Sequence, residues 1–128
     1  MALGLPNTKY AKKRIPLETE IQRNIIDYLK LNNIFHFRVN TMGVMRKGRY
    51  CPSPTTTKGV ADIIAICPPE DKDHPYEGNV GQLCAIEVKR LGGKQSPDQK
   101  KFQKAVEDAG GLYLLCYSVN DVRAGLGL

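Results

Sequence analysis

The sequence has no long apolar run. No stretch of its 128 residues approaches the roughly 20 consecutive apolar residues that a membrane-spanning helix needs. The N-terminal residues are poor in apolar side chains and lead into Lys12, Lys13 and Arg14, which is not the pattern of a secretory signal peptide. We therefore expect a cytoplasmic protein with no membrane partner. Its length predicts one domain, over 15–128, after a basic flexible arm over 1–14.

The four cysteines lack the spacing of a metal site or a disulfide framework. Cys51, Cys67, Cys84 and Cys116 lie far apart, and no Cys-x-x-Cys pair occurs. We expect them to be reduced, with the last three buried in apolar strands as small hydrophobic side chains. The two histidines also have no partner at ligand spacing, so we expect them to be structural or surface residues.

The segment between Asp27 and Asp62 has no acidic residue, in a chain whose formal net charge is +6. The basic residues of this segment are Lys30, Arg38, Arg46, Lys47, Arg49 and Lys58. A basic surface of this kind is the electrostatic footprint of a nucleic-acid-binding protein. The alternative is a merely solvated surface, although a mixed surface would normally interleave both signs of charge.

The hydrophobic pattern predicts the element order α-β-β-β-α-β-α. The predicted elements are a helix over 16–31, strands over 34–40, 62–67 and 82–90, a helix from Ser96 to Ala109, a strand over 112–117 and a helix over 119–126. The first helix follows from apolar residues spaced by four between Leu17 and Leu29. We expect residues 41–60 to form a long basic loop or loose hairpin. A connection of this length in a small domain is usually functional.

Two further expectations follow from these elements. The strand-helix-strand unit over 82–117 favours a parallel crossover, so we expect an α/β fold with a mixed central sheet flanked by helices. In the second helix, Phe102, Ala105, Val106 and Ala109 are expected to form the buried face.

Charged residues stand in two predicted strands that are otherwise apolar. Because side chains alternate along a strand, Glu87 and Lys89 project from one face while Ile86 and Val88 point to the other. Burying a charge is costly unless it is paired or bound to a metal. An ion pair explains Glu87 and Lys89 on their own. Asp62 changes this interpretation, because it opens the neighbouring strand, where its carboxylate can converge on Glu87.

Two converging carboxylates repel each other, and a hard divalent cation relieves the repulsion. Magnesium is typically held by one or two carboxylates together with water and phosphate oxygens. Lys89 beside such a site would orient the attacking water and offset charge in the transition state. With their basic surroundings, Asp62, Glu87 and Lys89 predict hydrolysis of phosphodiester bonds with Mg²⁺ or Mn²⁺.

Four further residues each have a local and a functional interpretation. Glu20, in the first turns of the first helix, is explained by the helix dipole or by support of the metal site. Gln99 follows Ser96 by three residues, the spacing of a capping box, which is compatible with a role in the site. Arg38 and Asn40 share one face of the first strand, as a strand-edge pair or as contacts to phosphate or the site carboxylates.

Taken in order, Glu20 on a helix, Gly59-Val-Ala-Asp62, Glu87-Val-Lys89 and Ser96-Pro-Asp-Gln99 resemble the PD-(D/E)xK nuclease superfamily, most closely its virus-type replication and repair nuclease branch. The resemblance runs from about Leu17 to Tyr117. It implies a restriction-endonuclease-like αβββαβ core. It also implies DNA as the partner, a homodimer, and no small-molecule cofactor besides the metal.

The resemblance implies a role for each matched residue. Asp62 and Glu87 hold the metal with the backbone carbonyl of Val88, and Lys89 is the catalytic lysine. Glu20 matches a helix glutamate at the metal, and Gln99 matches a supporting glutamine. The residues predicted to bind nucleic acid are Arg38, Asn40, Arg46, Lys47, Arg49, Lys58 and Lys94. One departure is Ala61, which stands where the superfamily has proline.

The leading hypothesis is a Mg²⁺- or Mn²⁺-dependent DNA endonuclease, selective for structures such as Holliday junctions or flaps in replication, recombination or repair. The runner-up is a non-catalytic nucleic-acid-binding module that uses the same basic loop. It predicts neither metal dependence nor cleavage, and it leaves Asp62 and Glu87 facing phosphate without a purpose. An acid-base enzyme acting on a sugar or acyl substrate conflicts with the basic surroundings.

Overall fold

A computed structural model describes residues 14–39, 44–51, 57–69 and 80–128. Its elements are α1 (Glu18–Leu31), β1 (His36–Arg38), β2 (Val44–Arg46), β3 (Arg49–Cys51), β4 (Ile63–Cys67), β5 (Gln82–Val88), α2 (Pro97–Asp108), β6 (Leu112–Cys116) and α3 (Val119–Leu126). The predicted order of the main elements is confirmed, with the hairpin β2–β3 inside the segment predicted as a loop or loose hairpin. The predicted arm, apart from Arg14, and Asn40 lie outside the described residues.

Four strands form one mixed sheet in the order β1-β4-β5-β6. The strands β1, β4 and β5 pair antiparallel, whereas β5 and β6 pair parallel and are joined through α2. The predicted parallel connection is therefore confirmed, and the chain is an α/β protein with a mixed sheet. The first strand, His36–Arg38, is shorter than predicted, although backbone hydrogen bonds of Phe35 and Val39 continue its pairing by one residue at each end.

One face of the sheet carries the main core beneath α1. Ile21, Ile25 and Leu29 of the predicted helical stripe are buried, whereas Leu17 is exposed as the N-cap. They pack with α3 and with every second residue of the strands. The cluster includes Ile63, Ala65, Cys84, Ile86, Val88, Cys116 and Val122. Burial of one helical stripe against one strand face explains why this core was readable from periodicity.

The opposite face carries a smaller cluster beneath α2. Ala61, Ala85 and Tyr113 are buried there, and Phe102 and Val106 of α2 pack against them. The expectation that Ala105 and Ala109 share this buried face was wrong, since both are exposed. Of the four residues predicted for this face, only Phe102 and Val106 pack on the sheet, and α2 ends at Asp108.

Cys84 and Cys116 are buried strand residues, as predicted, and Cys67 is half-buried; all three are free thiols. Burial raises the pKa of the Cys116 thiol to about 12, which makes it a poor nucleophile. Among the described helices, none is both long and apolar enough to cross a membrane.

Candidate active site

Asp62, which immediately precedes β4, lies opposite Glu87 of β5. In the antiparallel pairing of β4 with β5, Ile63 faces Ile86, and the same register carried one residue further brings Asp62 beside Glu87. Directly opposite residues share a sheet face, with Cβ atoms about 4.5–5.5 Å apart. Oδ2 of Asp62 accepts a hydrogen bond from the backbone N–H of Val88 at 2.7 Å. The Asp62 carboxylate is thus tied across the end of the strand pair.

Glu87 is the one buried charged residue in the described part of the chain, at 2% exposed. Its Oε1 accepts a hydrogen bond from Nε2 of Gln99 at 2.9 Å and lies 3.7 Å from Nζ of Lys89. Its Oε2 is buried and accepts no hydrogen bond from a donor among the described residues, and the neighbouring polar group is the Asp62 carboxylate. Burial, and then the charge of Asp62, raise the pKa of Glu87 to about 8. A buried carboxylate oxygen without a partner, beside a second carboxylate, suits a cation.

Lys89 follows β5 and comes two residues after Glu87, the spacing at which side chains of a strand project from the same face. Its backbone N–H donates to the carbonyl of Cys116 at 2.9 Å, which continues the parallel pairing by one residue. The stem of Lys89 lies against Gly93, where an added Cβ would come within 3.3 Å of the Lys89 Cβ. Its Nζ is too far from Glu87 for a hydrogen bond, so the two groups form a loose ion pair.

Gln99 takes part in the helix cap and in the site at once. Its backbone N–H donates to Oγ of Ser96 at 3.1 Å, and its Oε1 accepts from the backbone N–H of Ser96 at 2.8 Å. The remaining amide group, Nε2, donates to Glu87. The two interpretations made from sequence therefore coexist in geometry, because the amide oxygen and nitrogen serve different partners.

Gly59 brings the loop before Asp62 directly against the first turn of α2. Its φ is +73°, and an added Cβ would overlap the carbonyl of Asp98 and lie 2.6 Å from the backbone nitrogen of Gln99. Only glycine combines this conformation with so close a backbone approach. The contact braces the segment that carries Asp62 against the turn that carries Gln99.

No protein-family model, curated protein or solved structure matches this chain. The resemblance to the nuclease superfamily therefore depends on the motif residues alone, and the DNA partner, the homodimer and the metal stay predictions.

Glu20 is engaged at the N-terminus of its own helix. Its Oε2 accepts from the backbone N–H of Leu17 at 3.1 Å, and its Oε1 pairs with Nη2 of Arg14 at 2.5 Å. These two contacts lower the pKa of Glu20. The structure thus places Glu20 in its local role, and its support of a metal stays a prediction.

Glu18 is the helix carboxylate that the sequence interpretation passed over. It is exposed at the start of α1, and it precedes Ile25 by seven residues and Leu29 by eleven, so it continues the line of the buried stripe beyond its buried part. Its charge also helps to raise the pKa of Glu87, which places it within electrostatic reach of the site. Helical periodicity was the signal that would have identified it.

The protein supplies two close carboxylates rather than a full set of ligands. Within the described residues, no three His, Cys, Asp or Glu side chains form a group that could hold a metal ion. A cation bound by Asp62 and Glu87 would need oxygen ligands from backbone, water or a phosphate as well. Open coordination positions of this kind are typical of catalytic magnesium sites.

The predicted basic residues differ in their relation to the site. Arg38 pairs with Ile63, whose side chain lies in the core beneath α1. The side chain of Arg38 therefore lies on the sheet face opposite to the Asp62 side chain. The structure does not bring it to the carboxylates. Lys58, just before Gly59, and Lys94, just after Gly93, are exposed on the segments that border the site.

The hairpin β2–β3 carries the other predicted basic residues. Arg46, Lys47 and Arg49 are exposed on it. Lys47 and Gly48, with φ of +50° and +72°, form its two-residue turn. The backbone N–H of Val39 donates to the carbonyl of Asp62 at 2.9 Å, so the segment that leads to the hairpin starts beside the site.

Proposed function

We propose that the protein is a divalent-metal-dependent nuclease that hydrolyses phosphodiester bonds in DNA. The observation that carries the proposal is the environment of Glu87, a buried carboxylate opposite Asp62 with one oxygen unpartnered among the described residues. A structural ion pair with Lys89 requires neither the second carboxylate nor the unpartnered oxygen. Leaving a buried acceptor unsatisfied costs about 1–3 kcal/mol, more for a charged group, so a ligand explains the arrangement better.

The donor set fits a hard divalent cation. Asp62 and Glu87 would hold Mg²⁺ or Mn²⁺, together with the Val88 carbonyl that the family resemblance adds, and with Glu18 as the next carboxylate in electrostatic reach. When bound, such a cation supplies Lewis-acid polarisation of a phosphate oxygen and lowers the pKa of bound water. The raised pKa of Glu87 comes first from burial and then from the charge of Asp62, and it supports the proposal because a bound cation would offset both effects.

The remaining residues have distinct tasks in this proposal. Lys89 directs its ammonium group toward the charge that develops on the phosphate and holds the attacking water in position. Gln99 fixes the rotamer of Glu87, and the N–H of Val88 fixes that of Asp62. Lys58 and Lys94 bind flanking phosphates as exposed cations.

The proposal is tested with labelled duplex, forked, flapped and four-way-junction DNA in magnesium, manganese or chelator. We expect cleavage of at least one substrate with metal and none with chelator. Asp62→Asn should abolish cleavage, whereas the control Asp108→Asn should cut at the wild-type rate. Asp108 is suited as a control because it pairs with Lys104 at the exposed far end of α2.

Two results would contradict the proposal. If Asp62→Asn cleaved DNA at the wild-type rate, the assignment of Asp62 to the active site would be wrong. Tight DNA binding without cleavage of any substrate in either metal would favour the non-catalytic binding module instead.

A further inference from the structure

Two phenylalanines are exposed side by side on the edge of the sheet. Phe35 is 68% exposed and Phe37 is 49% exposed. Their ring centroids lie 6.3 Å apart in an edge-to-face arrangement. Phenylalanine is normally buried, and adjacent exposed aromatic side chains indicate a contact surface rather than a chance exposure.

The two rings lie on the sheet face that carries the site carboxylates. Phe37 pairs with Ile64, and the N–H of Ile66 donates to the carbonyl of Phe35 at 3.0 Å. Ile64 packs in the cluster beneath α2, and Gln99 of α2 reaches Glu87 on the same side of the sheet, so the rings and the site share one face. At about 3.3 Å per residue, Phe37 and Phe35 lie roughly 7 and 13 Å along the strand from the level of Asp62.

The part of this face that bears the rings is not covered by α2. The helix packs over Ala85 and Tyr113, on β5 and β6, while Ile66 of β4 is 37% exposed beside Phe35. The distances along β1 match roughly two to four steps of a stacked nucleotide strand, at about 3.4 Å each. A strand whose phosphate lies at Asp62 can therefore place neighbouring bases over the rings.

The charges around this surface favour a polyanion over a second copy of the chain. Lys58 and Lys94 are exposed on the segments that border the site. The hairpin that carries Arg46 and Arg49 begins at Val44, five residues after Val39. The Cα atoms of Val39 and Val44 therefore lie no more than about 18 Å apart. A second copy would bring another chain of net charge +6 against these groups.

We propose that Phe35 and Phe37 form a stacking platform for unpaired bases of the DNA strand whose phosphodiester lies at the Asp62–Glu87 site. The inference depends on the proposed nuclease function and names its substrate: DNA with unpaired nucleotides next to the cut. A continuous duplex cannot use the platform, because both faces of each base are stacked on neighbouring bases. Unpaired bases stack on aromatic side chains without sequence preference.

The test measures binding separately from cleavage. A fluorescent forked duplex carries an unpaired arm with normal bases or with abasic nucleotides, and fluorescence anisotropy is recorded in chelator. We expect the wild type to prefer the arm with bases by about 5- to 150-fold per stacked base. Phe37→Ala and Phe37→Leu should lose the share of the preference that one stacked base contributes, whereas Phe37→Tyr should keep it, because tyrosine retains the aromatic ring.

The same substrates in magnesium distinguish this inference from the proposed function. Base-dependent binding without cleavage supports the platform and overturns the nuclease. Cleavage of both arms at one rate, by the wild type and by Phe37→Ala, overturns the platform and keeps the nuclease.

Sedimentation of the same variants tests whether a second copy of the chain, rather than DNA, covers this face. We expect Phe37→Ala and Phe37→Leu to keep the wild-type oligomeric state and unfolding temperature. Variants that dissociate a dimer and weaken binding to duplex and fork equally would overturn the platform and assign the surface to a second copy.

Discussion

Gln99 donates a hydrogen bond from Nε2 to Oε1 of Glu87 at 2.9 Å while its own Oε1 caps α2 through the N–H of Ser96. One side chain therefore connects the stability of a helix terminus to the orientation of a buried carboxylate. Each of these contacts can be removed by a substitution that keeps the other. Such substitutions distinguish the two roles.

Gln99→Glu should alter the site while keeping the helix cap. The new carboxylate still accepts from Ser96, but it replaces the donor to Glu87 with a like charge and raises the pKa of Glu87 further. We expect the pH profile of cleavage to move to higher pH. Ser96→Ala should lower the free energy of unfolding by about 1 kcal/mol without moving the profile. Equal profiles for wild type and Gln99→Glu would contradict the coupling.

The stability of the metal-free protein should fall as pH rises from about 4.5 to about 8. The pKa of Glu87 is raised from 4.5 to about 8, chiefly by burial, so the fold disfavours its ionised form. The stability contributed by protonated Glu87 is complete below its ordinary pKa and is lost as pH rises through about 8. In thermal unfolding with chelator, we expect the wild type to lose stability relative to Glu87→Gln over this interval.

Addition of magnesium should reverse this loss in the wild type. Binding to the folded state alone adds about 2.7 kcal/mol at a free metal concentration of 100 Kd. Glu87→Gln should gain much less. Parallel pH curves for the two proteins, or equal stabilisation by metal, would argue against the titration and the site.

Gly59→Ala should destabilise the protein more than Gly48→Ala. The two glycines have φ of +73° and +72°, so both substitutions cost about 1 kcal/mol or more in backbone strain. An added Cβ at Gly59 also meets the backbone of Asp98 and Gln99, whereas at Gly48 it meets nothing within 4 Å. We expect chemical denaturation to show a difference of about 2 kcal/mol or more. Equal losses would mean that α2 shifts freely.

Glu18→Gln and Glu20→Gln should differ in metal affinity. Glu18 acts on the site through its charge, whereas Glu20 is held by Arg14 and the N–H of Leu17. Calorimetric titration with Mn²⁺ should show weaker binding for Glu18→Gln, by about fivefold, and little change for Glu20→Gln. The opposite order would support the metal-site role predicted for Glu20 from sequence.

Lys89→Met should lower the rate of cleavage by about 100- to 1,000-fold, the loss typical of removing one group that stabilises transition-state charge. Binding of DNA should change little, because Lys89 is one cation among many. Lys104→Met, at the exposed end of α2, serves as the control. An equal loss of rate in both variants would indicate a general electrostatic effect.

Much of the fold was predictable because its signals are local. Spacing by four residues identified α1, and apolar runs bounded by glycine and proline identified β4, β5 and β6. The strand ends were less predictable, because pairing with a neighbour decides them. The shortening of β1 follows from its place at the sheet edge, next to β4 alone.

The sequence by itself determined that Asp62, Glu87 and Lys89 are charges in apolar strands, since alternation is a property of each strand alone. Which of these charges meet depends on how the strands pair. The β4–β5 register puts Asp62 opposite Glu87, while the β1–β4 register turns Arg38 to the other face. The reach of α2 over β5 and β6 likewise leaves Phe35 and Phe37 exposed. These outcomes depend on contacts between residues distant in the chain, which no local pattern encodes.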